Sequence, residues 1–125
     1  MPIADSSFLI AFFRESDPLH SRALADMEAC QGQKLVIPIP ILYETLTVLR
    51  YKENIDASRL AHERLSRLEA VEFYRLSPDE ESKVLESFFS SRQELSVADA
   101  VVLHLTRVRD TPMLSYDQDL LKSRG

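Results

Sequence analysis

Four short apolar runs, each separated from the next by longer stretches of helical periodicity, set the pattern of this chain. The first ends at Ala4; Asp5 and two serines follow, and a nearly all-apolar segment begins at Phe8. A strand that stops at an acid and turns at once into a buried helix has this pattern. The second run, residues 34–39, reads KLVIPI and suits a buried strand, with Pro38 marking its end or an edge. The third, residues 71–76, reads VEFYRL and alternates; the fourth, residues 113–116, reads MLSY and ends at Asp117.

Two helices are predicted between each pair of strands. After the first helix, Asp17 and Pro18 suit an N-cap and a first helical residue, and Gly32 closes that segment. Pro40 opens a helix reaching about residue 53, with a wide apolar face of Ile41, Leu42, Thr45, Leu46, Val48 and Leu49. Asp56 is the expected cap of the fourth helix, whose core line is Leu60 or Ala61, then Leu65 and Leu68. Ser77 and Glu80 form a capping-box pattern around Pro78, and the fifth helix runs to about residue 91. Ser96 opens the sixth, with Ala98, Val101, Val102, Leu105 and Val108 on one stripe. Short strands joined by helices imply an α/β fold, a parallel sheet of about four strands covered by helices on both faces.

Composition narrows the class. At 125 residues, 45% hydrophobic and 28% charged, the chain has the size and mix of one globular domain spanning residues 1–125. No stretch approaches the roughly 20 apolar residues of a membrane helix, no signal peptide is visible, and Cys30 is the sole cysteine. A cytoplasmic location is expected. The net charge of -5 argues against a broad basic surface, yet Arg50, Lys52, Arg59, Arg64 and Arg67 form a locally basic stretch. A solvated helix face is the ordinary explanation of such a run; a phosphate-binding role is the alternative.

Four acids then change the picture. Asp5 and Asp117 end strands, while Glu44 and Asp99 lie in the opening turns of helices. Three of them have a plainer local explanation: Asp5 as an N-cap, Glu44 as a solvated or paired side chain, Asp99 as the partner of Ser96 in a capping box. If strand ends and helix starts share the carboxyl edge of the sheet, however, all four can meet in one cavity. Two carboxylates about 4 Å apart repel by about 4 kcal/mol at an effective dielectric of about 20, so protons or a cation must intervene. Oxygen-only donors favour Mg²⁺ or Mn²⁺ over zinc, and His20, His62 and His104 lack ligand-like spacing. Such a site suits hydrolysis of a phosphodiester. No P-loop, glycine-rich dinucleotide turn or Ser-His-Asp order is present, and the chain has only two glycines.

Four blocks, IADSSFLIAFF, IPIPILYETLTVL, LSVADAVVLHLT and PMLSYDQDLL, occur in the order found in the PIN-domain nucleases, and the chain resembles their VapC-type toxins of bacterial and archaeal toxin-antitoxin pairs. The resemblance covers roughly half of the chain and implies a PIN-like α/β/α sandwich. It assigns the acidic site to Asp5, Glu44, Asp99 and Asp117, the accompanying hydroxyls to Ser7 and Ser115, and a further frequent acid to Asp119. It implies a Mg²⁺- or Mn²⁺-dependent endoribonuclease, a homodimer, and a cognate antitoxin protein. Two departures stand out. The sequence stops at Gly125, where the family usually adds a short strand, so that strand is missing or the sequence is truncated. Leu120 stands where an aromatic is common. A non-toxin RNA-processing nuclease, a receiver-like phosphoacceptor and a binding module with a degenerate site are the competing readings.

Overall fold

The computed structural model describes residues 1–124, so the question of a further strand at Gly125 lies outside the described residues. The elements are β1 (Ile3–Ala4), α1 (Ser6–Phe13), α2 (His20–Ala29), β2 (Leu35–Pro38), α3 (Ile39–Lys52), α4 (Ile55–Arg67), β3 (Val71–Tyr74), α5 (Pro78–Ser90), α6 (Val97–Arg109), β4 (Met113–Leu114) and α7 (Gln118–Arg124). The strands form one four-stranded sheet in the order β3-β2-β1-β4, and every pairing is parallel.

That order dictates the layering. From β1 to β2 to β3 the chain steps in one direction, so right-handed crossovers place α1 to α4 on one face. From β3 it returns past β2 and β1 to β4, which places α5 and α6 on the other face. The result is the expected α/β/α sandwich. Connections leave in opposite directions between β1 and β4, and the carboxyl ends of such neighbouring strands form a crevice where ligands bind in open α/β sheets. Asp5 follows β1 at that point, and Asp117 stands just beyond β4.

The central strands are buried on both sides. Ile3, Ala4, Val36 and Ile37 are fully inaccessible, as the near-continuous apolar runs of a covered parallel sheet require. Phe8, Leu9, Ile41, Val101, Val102 and Leu105 close over them from the two helical layers. Leu120 is also fully buried, so the departure from an aromatic is absorbed by core packing.

Several boundaries move. α2 starts at His20, because Asp17 Oδ1 accepts the Leu19 N–H at 2.8 Å and holds Pro18 and Leu19 in a turn ahead of the helix. Asn54, not Asp56, caps α4: its Oδ1 accepts the Ala57 N–H at 2.7 Å, while Asp56 lies in the first turn and pairs with Arg59 at 3.3 Å. Both residue types cap well, and the earlier one wins because Ile55 already has helical geometry. On α4, Ala61 and Leu65 are buried, whereas Leu60 and Leu68 are exposed. α6 is buried through Ala100, Val101, Val102, Leu103, Leu105 and Thr106, since it packs against β1, α5 and α7, but Val108 reaches solvent at its last turn. The fourth strand is shorter than 113–116, and α7 adds a helix that the apolar pattern does not reveal.

Candidate active site

Asp5 occupies the N-cap position of α1 but makes no side-chain cap bond. Its carboxylate turns instead toward β4. Oδ2 accepts the Ser7 hydroxyl at 2.8 Å and the Ser115 hydroxyl at 2.9 Å. Those hydroxyls lie 3.2 Å apart and are themselves held by the main chain beyond β4: the Tyr116 N–H donates to Ser7 Oγ at 2.8 Å and the Asp117 N–H to Ser115 Oγ at 3.1 Å. Asp5 is 3% exposed, so this satisfaction of Oδ2 is what makes a buried carboxylate tolerable. Among the described residues, Oδ1 accepts no hydrogen bond.

The other two aspartates repeat this division of labour. Asp117 Oδ1 accepts the N–H groups of Asp119 and Leu120 at 3.0 and 3.1 Å, which caps α7. Asp99 Oδ2 accepts the Ser96 N–H at 3.0 Å while its own N–H donates to Ser96 Oγ at 3.0 Å, so the capping box at α6 is formed. In each case one oxygen serves the fold, and among the described residues the other accepts no protein hydrogen bond. The capping-box reading of Asp99 therefore holds without using up its carboxylate, and Asp117, expected only to end a strand, also caps a helix with one oxygen.

Glu44, on α3, is exposed rather than bordering the buried face. Its carboxyl is nevertheless raised above the ordinary range, first by loss of water around it; the Ser6 hydroxyl opposes this, and the charges of Asp5, Asp99 and Asp117 reinforce it. Asp99 is raised as well, by desolvation foremost, against its bonds to Ser96, and again by Asp5 and Asp117. The four acids thus share one electrostatic neighbourhood, although 112 positions separate Asp5 from Asp117 in the chain.

Their chemistry fits a hard divalent ion: the donors are oxygen only, acidic and mutually repulsive. Among the described residues, no group of three or more His, Cys, Asp or Glu side chains is placed to hold one metal ion. Three cavities among the described residues are lined by residues other than these four acids. Asp119 borders one of these, a groove of about 270 Å³ shared with Gln93, Glu94, Leu95, Lys122 and Ser123. It is exposed, and its link to the acids is the backbone N–H that Asp117 accepts.

Residues outside the acids behave as ordinary surface and packing groups. His20 Nδ1 meets the Ala11 carbonyl at 2.8 Å, and His104 Nε2 meets Glu80 Oε2 at 3.3 Å. Arg50, Lys52, Arg59, Arg64 and Arg67 are all exposed, consistent with a solvated face. Tyr116, which no sequence motif marks as a site residue, is different. Its hydroxyl donates to Asp26 Oδ2 at 2.6 Å, Arg22 lies 4.9 Å from its ring centre, and Phe8 meets the ring edge-on. Burial foremost, then Asp26, pushes this phenol well above its usual range, so it remains a donor. No local signal marks Asp26, which lies 90 residues away.

A PIN-domain family model matches residues 3–124, and the chain belongs to the PIN-domain family. Its fold is similar to that of a solved toxin, the crystal structure of Mycobacterium tuberculosis VapC20, described as sarcin-ricin loop cleaving. The TM-score is 0.87 over 98% of this chain and 95% of that one, at 20% sequence identity. Among curated proteins, none matches the chain by sequence.

Proposed function

We propose that this protein is a metal-dependent endoribonuclease that hydrolyses RNA phosphodiester bonds at Asp5, Glu44, Asp99 and Asp117, and that it is the toxin of a toxin-antitoxin pair. The observation that supports this most is the shared field of the four acids at the switch point of the sheet, with one oxygen of each aspartate left uncommitted. Asp5, Asp99 and Asp117 would hold Mg²⁺ or Mn²⁺, directly or through water. Bound there, the ion would lower the pKa of an attacking water and offset charge on the phosphate. Glu44, the exposed member with a raised carboxyl, is suited to accept a proton from that water or to orient it. Ser7 and Ser115 fix the Asp5 carboxylate, and Asp119 stands beside Asp117 at the start of α7.

The toxin role, a cognate antitoxin, a homodimer and a cytoplasmic location belong to the same reading. No helix of the described residues is long and apolar enough to cross a membrane. Because the VapC20 structure is described as cleaving the sarcin-ricin loop, a folded ribosomal RNA loop is the first substrate to try. Purified protein should cut RNA with Mg²⁺ or Mn²⁺ and stop when EDTA is added; RNA left intact under both ions would sink the nuclease reading. Induced expression should arrest growth, and co-expression of a neighbouring small gene should relieve the arrest. Cleavage without arrest would leave an RNA-processing nuclease.

A further inference from the structure

The acidic site is steadied by a side chain that touches none of the acids' free oxygens. We propose that Tyr116, tethered by Asp26 of α2, is a positioning residue for the Asp5 and Asp117 carboxylates; this rests on the metal-dependent nuclease reading above.

The reason lies in how little sheet there is at this point. β4 ends at Leu114, and the last inter-strand bond on this side runs from the Asp5 N–H to the Leu114 carbonyl at 2.9 Å. Past Leu114, residues 115–117 have no ladder to hold them, yet they supply three groups of the site. These are the Ser115 hydroxyl, the Tyr116 N–H that fixes Ser7, and the Asp117 carboxylate. Ser115 and the Tyr116 N–H reach Ser7 of α1, and the Tyr116 side chain ties the segment further out, to α2. Its hydroxyl bonds to Asp26 at 2.6 Å, and Asp26 is in turn 3.8 Å from Arg22, whose guanidinium covers the same ring.

A relay follows, from Asp26 to the Tyr116 hydroxyl, through the Tyr116 main chain to Ser7 Oγ, and on to Asp5 Oδ2. If the phenol loses its acceptor, the residue can rotate. Rotation shifts the N–H groups of both Tyr116 and Asp117, and with them the two hydroxyls that aim Asp5. Packing alone does not demand this arrangement, because the edge-on contact with Phe8 needs only the ring. The hydroxyl is needed for the tether, which Tyr116→Phe removes while keeping the ring.

The test pairs Mn²⁺ titration by calorimetry with steady-state cleavage of RNA, using wild type, Tyr116→Phe, Asp26→Ala and the double variant. Each single variant should bind Mn²⁺ about tenfold more weakly and lose a similar factor in kcat at unchanged KM, the low end of the range for groups that orient metal ligands. The double variant should be no worse than either single one, since both remove the same contact. Asp26→Asn retains an acceptor oxygen and should recover most of the loss. Wild type that binds Mn²⁺ and cleaves RNA, with Tyr116→Phe indistinguishable from it or with additive losses in the double variant, overturns the positioning role alone. A lower melting temperature with unchanged Mn²⁺ affinity also overturns it. Wild type that neither binds Mn²⁺ nor cleaves RNA overturns the nuclease reading together with this inference.

Discussion

The Ser115 hydroxyl donates to Asp5 Oδ2 at 2.9 Å, joining residues 110 apart in the chain at the ends of two neighbouring strands. Ser115→Ala removes that donor and leaves the Asp117 N–H without its acceptor. The expected loss of stability is about 1–3 kcal/mol, read from urea unfolding. Cleavage should fall by about 10- to 100-fold, as for other groups that orient ligating carboxylates.

Asp5→Asn tests the carboxylate itself. The amide oxygen can still accept from Ser7 and Ser115, so the fold should survive by circular dichroism. Cleavage with Mn²⁺ should drop by at least about 100-fold, more than for a group that only orients a ligand. A fully active Asp5→Asn protein would remove Asp5 from the site.

The two capping boxes make an internal control. Ser77→Ala and Ser96→Ala each break one, and each should cost about 1 kcal/mol of stability. Only Ser96→Ala should also slow cleavage, because the hydroxyl it removes accepts the Asp99 N–H, whereas that of Ser77 accepts the Glu80 N–H. Equal slowing by both variants would tie activity to stability rather than to Asp99.

Raised carboxyls at Glu44 and Asp99 give a pH signature. Between the ordinary carboxylate values and the higher folded-state values, the folded chain binds more protons than the unfolded one. The contribution of these groups to stability is therefore full at low pH and is lost as pH rises through the folded-state values. Glu44→Gln should remove its share of that loss, so its melting temperature relative to wild type should climb with pH across this interval in EDTA. A difference that stays flat with pH would show that Glu44 is not strained by its neighbours.

Divalent ions should reverse the same strain. Mn²⁺ should raise the melting temperature of wild type, by the equivalent of about 2.7 kcal/mol at 100 times Kd, with less effect at acidic pH where protons compete. Asp5→Asn should show little of this increase in the same thermal scans.

Much of the architecture was legible because the signals for it are local. Apolar runs marked β1, β2 and β3, proline and serine marked the starts of α5 and α6, and the Ser96–Asp99 box formed as spaced. Two local signals compete at the start of α4: Asn54 and Asp56 are both good caps, and only the path of the chain into the helix separates them. α7 is not legible in the sequence because seven residues with few apolar positions give too little periodicity, and its cap, Asp117, also suits a strand end.

By itself, the sequence determined the order of the strands and of the first six helices, and the placing of four acids at strand ends or in the opening turns of helices, since periodicity and capping depend on residues a few positions apart. Only the tertiary structure decided what the acids do with their oxygens. Asp5 gives up its cap bond for two serines because the order β3-β2-β1-β4 sets β4, its most distant strand in sequence, directly beside β1. The Asp26 tether on Tyr116 is likewise a product of packing, made where α2 meets the segment that follows β4.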